Sequence, residues 1–289
     1  MSNSDYTFMQ VVEGNGSFSQ KGDTGVSQGV KTLQTYLKEI GYTISDASGR
    51  FQSSTKKAVE GFQYELGITQ DGDAGSGTCL RLNTVHSSKY FNKYGKPLNT
   101  SQWGQSKILS GNFNDTDLMA RIILAESGYE NLDDEKGVAI VIKNRSVNSS
   151  SRYWETSEKY PKASIYARVI GKASQYATAN SSNEIARVPR RGYHGKQADG
   201  FIDPAWKKAV NLAGNIIDGT KISVTAYKVN GLSISSQTKT INTTDNKQYL
   251  NQTAWSLYKS YYDSGDVVTS VQPLAFLTTA KSNVIFKVK

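Results

Sequence analysis

Two loops near the start of the chain repeat one pattern. "GYTISDASGRF" (41–51) and "GITQDGDAGSGT" (67–78) each run glycine, apolar residue, short spacer, aspartate, then glycine ahead of a helical stretch. That order is turn chemistry, and it amounts to an internal half-repeat. The segments around these loops have helix period. Val30, Leu33, Leu37 and Ile40 recur at three and four residues over about 26–40, and Gly41 is placed to end that helix. A second helix follows Gln52, with Ser53 or Ser54 able to cap it, carries Ala58, Val59, Phe62 and Leu66, and stops at Gly67. A third short turn near Ser76–Thr78 holds Cys79, Leu80 and Leu82. The plain reading is a tiny three-helix domain whose apolar residues are all accounted for by helix packing.

The whole chain has 289 residues, enough for two domains. Residues 1–20 are polar and expected to be a flexible N-terminus. The stretch 84–112, rich in Ser, Asn, Gly and Lys, reads as a linker that partly docks, with His86 a plain surface residue on it. Cys79 is the only cysteine, so no disulfide forms within the chain, and an inert buried thiol is expected there. Two His and one Cys make a zinc site improbable, and no metal or cofactor is expected.

Lys plus Arg outnumber Asp plus Glu by 34 to 25, a net charge of +9. This balance suits an anionic polymer: nucleic acid, a membrane surface or an acidic wall glycan. A solubility role alone is the bland alternative. The one compact basic group is "RVPRRGYHGK" (187–196), so the dense patch usual for nucleic-acid binding is missing and no nucleic acid is expected as partner. The N-terminus has no basic start followed by an apolar run, so no signal peptide is expected, and synthesis in the cytoplasm is. No stretch approaches the roughly 20 apolar residues of a membrane span, so stable membrane insertion is not expected.

Gly-Asp-x-Gly at the opening, the Leu33-Gln34 pair, Leu37-x-x-x-Gly41-Tyr42, Asp46-x-x-Gly49-x-Phe51 and Ala58-Val59-x-x-Phe62-Gln63 stand in order over residues 21–83. In this the stretch resembles the peptidoglycan-binding module at the ends of many bacterial wall hydrolases. The pattern departs at Ala74-Gly75-Ser76-Gly77, where the family usually has Gly, a hydrophobic residue and then Gly or Asp. The resemblance implies peptidoglycan as partner, with no chemistry in the module itself.

"DLMARIILAESGYE" (117–130) poses a different problem. Asn114, Asp115 or Thr116 can cap the helix, and Asp117 lies where the helix dipole favours anions. Leu118, Met119, Ile122 and Ile123 form the buried side, and Glu126 continues both the 118/122 and 119/123 rows. An apolar setting and the C-terminal end of the dipole both disfavour an anion there. A carboxyl that keeps its proton is what a general acid for a glycosidic oxygen requires. The bland alternative is a boundary Glu that reaches solvent or pairs with Lys or Arg.

"DDEKGVAIVIKNRS" (133–146) is apolar on nearly every side from Val138 to Ile142. With Asp133 or Asp134 as cap it reads as a helix buried in the centre of a domain, although a run this short also suits a strand. Together the two segments resemble the catalytic domain of the wall hydrolases that include the spore cortex-lytic enzymes. The matching pieces are Ala120-Arg121, Ala125-Glu126-Ser127-x-x-Glu130, Gly137-Val138-Ala139 and Val141-Ile142-x-Asn144-Arg145. "ARVIGKASQYATAN" and "DPAWKKAVNLAGNIIDGT" continue the likeness to about residue 230.

This second resemblance implies a mainly α chain: the three-helix wall-binding domain, then a lysozyme-like, mostly helical catalytic domain over 113–289 with a minor β element. It implies cleavage of the glycan between N-acetylmuramic acid and N-acetylglucosamine, by lytic transglycosylation or muramidase-type hydrolysis. Glu126 would be the acid/base, and Gln175, Tyr176 and Thr178 would line the cleft. Tyr227, in a strand-like stretch "KISVTAYKVN", would approach it. The stretches 146–166 and 181–202 exceed the family's usual length and are rich in Tyr, Trp and Arg. They are either sugar-binding walls, with Tyr193 among the stacking candidates, or variable surface insertions.

Glu130, Glu155, Glu158 and Glu184 are candidates for a second carboxylate, each against the reading of a solvated surface charge. His194 has no Ser or Cys motif beside it and reads as a surface residue. A helix is expected over 246–265, from Leu250, Ala254, Leu257 and Tyr261, and short strands after it, in an otherwise unrecognised tail from about 235. A phage endolysin or a spore cortex-lytic enzyme are the settings that fit; a non-catalytic wall-binding protein is the alternative. Oligomeric state is not legible.

Overall fold

The computed structural model describes residues 1–88, 93–127, 132–173, 175–191, 204–220, 223–230, 233–242, 249–254, 273–275 and 283–287. These are mainly helical, as expected. The chain forms two compact units, Met1–Pro97 with Val188–Trp206, and Leu98–Arg187 with Lys207–Lys289.

The first unit holds α1 (Phe8–Val12), α2 (Gln28–Glu39), α3 (Ser53–Leu66) and α4 (Ser76–Ser87). Ser27 caps α2 by accepting from the Val30 N–H, and α3 ends at Gly67 in the left-handed region (φ 68°). Val30, Leu33 and Leu37 of α2, Ala58, Val59 and Phe62 of α3, and Cys79, Leu82 and Val85 of α4 form the core. Burial pushes the Cys79 thiol up to about 12, which makes it inert.

The half-repeat has a physical basis in two glutamines. Gln34 Nε2 donates to the Arg50 carbonyl (2.9 Å) and Thr55 Oγ1 (3.0 Å), while its Oε1 accepts from the Gly49 N–H (2.8 Å). Gln63 Nε2 donates to the Asp73 carbonyl (3.0 Å) and Thr78 Oγ1 (3.3 Å), and its Oε1 accepts from the Gly72 N–H (2.9 Å). Both donating glycines have positive φ, 83° and 76°, which a side chain would strain. Asp46 adds a remote cap to α3: its carboxylate accepts from the N–H groups of Gln52, Ser54 and Thr55.

Residues 1–20 are built into the core, against the expectation of a loose N-terminus. Thr7 and Gln10 form a capping box on α1. Phe8, Val11 and Phe18 are buried, and Phe18 exchanges two backbone hydrogen bonds with Ala74 (3.1 and 2.8 Å). Three separated apolar residues in a polar stretch show no period, which is why composition misled.

The segment from Val188 also departs from expectation: it belongs to this unit and not to the later domain. Arg190 is fully buried and forks onto Glu65, Nε to Oε1 at 2.6 Å and Nη2 to Oε2 at 3.2 Å, with a further bond to the Ile40 carbonyl (3.1 Å). Tyr42 Oη donates to the same carboxylate. Burial, with Glu65 adding to it, pushes the Tyr42 phenol well above its usual range.

The second unit contains α5 (Gln105–Ile108), α6 (Asp115–Ser127), α7 (Leu132–Ser146), α8 (Ile165–Ile170), α9 (Glu184–Arg187) and, from Lys207 on, α10 (Pro204–Ile217). Asn114 caps α6, its Oδ1 accepting from the Asp117 N–H at 3.2 Å. The apolar run 138–142 is helical, within α7. The helix packs against α6 and α8 and also against strands, and Val138–Ile142 are buried within it, in keeping with an apolar run on every side.

Those strands are β1 (Ser223–Asn230), β2 (Ser233–Asn242), β3 (Tyr249–Ala254), β4 (Pro273–Ala275) and β5 (Asn283–Lys287). They make an antiparallel sheet of order β2-β1-β4-β5-β3. The helix expected over 246–265 is replaced at its start by β3, which pairs along β5 from Tyr249↔Lys287 to Ala254↔Asn283. Backbone pairing with a strand beyond it in sequence overrides the local spacing.

Candidate functional site

Glu126 sits in the last turn of α6 and is half-buried, after seven consecutive buried residues, Leu118 to Leu124. Thr178, 52 residues further on, donates its hydroxyl hydrogen to Glu126 Oε1. Thr178 is carried on a single 3-10 turn, Ala177–Ala179, and is itself half-buried. Two of the expected site residues, Glu126 and Thr178, are thus brought into contact.

Tyr176 completes the cluster. It is buried, and its hydroxyl has no hydrogen-bond partner among the described residues. Burial pushes its phenol up to about 12; the nearby Arg145 pulls the other way, by its charge and by its approach to the hydroxyl, and the Glu126 charge adds to the rise. The Arg145 guanidinium stands 5.0 Å from the centre of the Tyr176 ring. A buried hydroxyl that keeps its proton thus stands near a carboxyl that accepts from a neutral hydroxyl, groups able to give and take protons. Gln175 is half-buried, and its backbone carbonyl lies 3.5 Å from Arg145 Nη1.

Sequence reasoning missed three contributors. Arg121 is buried on α6, with Nε on Asp117 Oδ2 (2.9 Å) and Nη1 on the carbonyls of Ala186 (2.9 Å) and Arg187 (3.2 Å). Its four-residue spacing from Asp117 was a usable signal. Trp103, inside the expected linker, is buried and donates its indole N–H to the Thr178 carbonyl at 3.3 Å. Arg145 was seen only as part of a motif. No pattern in the sequence tied it to Tyr176.

The remaining candidates fall elsewhere. Tyr193, Glu130 and His194 lie outside the described residues, and of Tyr227 only the backbone is described, in β1 opposite Thr238 and Ala275. Glu155 pairs with Lys159 (3.5 Å) and Lys172 (3.9 Å), and Glu158 and Glu184 are exposed, in keeping with surface charges. In the stretch 146–166, Tyr153 is buried and Trp154 donates to the Asn148 carbonyl (3.0 Å), so these aromatics are tied into the fold. His86 is not a plain surface residue: its ring stacks on Tyr36 at 3.7 Å and its Nε2 meets the Glu39 carboxylate. Among the described residues no three His, Cys, Asp or Glu side chains gather in a way that could hold a metal ion, and no helix is long and apolar enough to cross a membrane.

A family model, that of a peptidoglycan binding domain, matches residues 26–82. The match spans α2, α3, the first part of α4 as far as Leu82, and both glutamine-held loops. No curated protein and no solved structure matches the chain. The first unit therefore carries a peptidoglycan-binding domain, which associates the chain with the cell wall.

Proposed function

We propose that this protein cleaves the glycan strand of peptidoglycan between N-acetylmuramic acid and N-acetylglucosamine, with Glu126 as general acid and then general base. The observation that carries the reading is the Thr178 hydroxyl donating to Glu126 Oε1 at the end of a buried helix. A carboxyl anchored on one oxygen by a neutral donor keeps a fixed direction, which proton transfer to a leaving oxygen requires. The peptidoglycan-binding domain on the same chain supports the choice of polymer. The carboxyl would protonate the glycosidic oxygen. It would then take a proton from the incoming nucleophile, either the sugar's own 6-hydroxyl or water.

The test is digestion of purified walls by the full chain, with fragments identified by mass spectrometry. Glu126→Gln should lower the release of soluble fragments by about 100-fold or more. Anhydro-muramic ends would identify transglycosylation, and reducing ends hydrolysis. Binding to walls without soluble products would show a wall-binding protein with no catalytic role for Glu126.

A further inference from the structure

We propose that Trp103 is a positioning residue for Glu126, acting through Thr178. The inference rests on Glu126 being the acid/base. Four residues close a ring of contacts within the second unit. Arg121 and Glu126 both stand on α6. The Arg121 guanidinium lies 6.0 Å from the centre of the Trp103 ring. Trp103 Nε1 donates to the Thr178 carbonyl at 3.3 Å. Thr178 Oγ1 returns to Glu126 Oε1. One indole is therefore linked to the helix that carries the acid and to the turn that carries the hydroxyl.

The turn needs such an anchor. Residues 177–179 form one 3-10 turn, held within itself by the Ala179 N–H on the Tyr176 carbonyl (3.1 Å) and the Asn180 N–H on the Ala177 carbonyl (3.3 Å). A single turn of this kind has little stiffness of its own. The indole bond falls on residue 178 itself, so it sets the height from which the hydroxyl reaches Glu126. Trp103 is in turn held firmly. It is 2% exposed, meets Phe113 edge to face at 5.5 Å, and faces an arginine fixed by Asp117 and two carbonyls. Errors of about 1 Å in a reacting group cost on the order of 100-fold in rate, so an anchor this close to the acid acts on turnover and not on binding.

The experiment is a double-variant cycle on the full chain, with kcat and KM measured on soluble glycan fragments of peptidoglycan. Trp103→Phe is expected to lower kcat about tenfold and to leave KM within about twofold. Thr178→Val is expected to do the same. In the Thr178→Val background, Trp103→Phe should cost less than about a further twofold, because the anchor then positions no hydroxyl. Replacing Trp103 with its sulfur isostere benzothienylalanine keeps the shape and removes only the N–H. It should reproduce the kcat loss with an unchanged thermal midpoint. Independent losses that multiply in the double variant, or wild-type kcat in the isostere, overturn the inference while Glu126 keeps its role. Full activity in Glu126→Gln overturns the parent reading, and this one with it.

Discussion

Gln34 and Gln63 occupy equivalent positions on successive helices, each one residue after a buried core residue, Leu33 and Phe62. Each holds the loop that follows by donating to a carbonyl and a threonine hydroxyl and accepting from a glycine N–H. The peptidoglycan-binding domain is thus organised as one device used twice.

Gln34→Leu and Gln63→Leu should each destabilise the first unit by about 1–3 kcal/mol, because each strands a buried glycine N–H without a partner. Urea unfolding of the full chain measures this. Two unchanged midpoints would show that the glutamines are incidental.

Arg190 and Glu65 make the other test of that unit. Arg190→Met leaves a charged Glu65 buried beside Tyr42 and should cost about 3–5 kcal/mol. Adding Glu65→Leu removes the orphaned charge and should recover part of the loss. A double variant less stable than the sum of both singles would contradict this account.

Asp46 gives the pH dependence. Burial alone would raise its carboxyl, but hydrogen bonds from Ser54 and Thr55 outweigh that and lower it from 3.8 to about 2. A folded value below the unfolded one stabilises the fold fully above the unfolded value. That contribution fades as pH falls from about 4 and is gone below about 2. The thermal midpoints of the native chain and Asp46→Asn should differ at neutral pH and converge at the acid end. A constant difference down to the lowest pH would refute the assignment.

Tyr176→Phe separates stability from activity. The hydroxyl makes no well-formed hydrogen bond among the described residues and has Arg145 beside it, so its loss should cost no more than about 1 kcal/mol. Wall cleavage should nevertheless fall about tenfold or more if that hydroxyl meets the sugar. Ultraviolet titrations of the native chain and the variant should differ by one phenol that holds its proton to about pH 12, with Tyr42 titrating late in both.

Much of the site's scaffold was legible because it is local. The rows 118/122/126 and 119/123/126 placed Glu126 on α6, and the apolar run in α7 read as a central helix with a strand as the alternative. Residues 1–20 were not legible, since Phe8, Val11 and Phe18 are too sparse to show a period. Nor was the strand at Tyr249–Ala254, whose helix-like spacing lost to pairing with β5.

Sequence alone determined α2, α3 and α6, the glycines that follow α2 and α3, and the presence of a carboxylate where a core residue belongs. These are written at spacings of three and four residues, within reach of the backbone's own period. Only the tertiary structure decided which groups meet. Thr178 reaches Glu126 over 52 residues, Trp103 reaches Thr178 over 75, and Arg190 reaches Glu65 over 125. No periodicity encodes such pairs. They follow from how buried surfaces fit and from the cost of leaving a buried polar group without a partner.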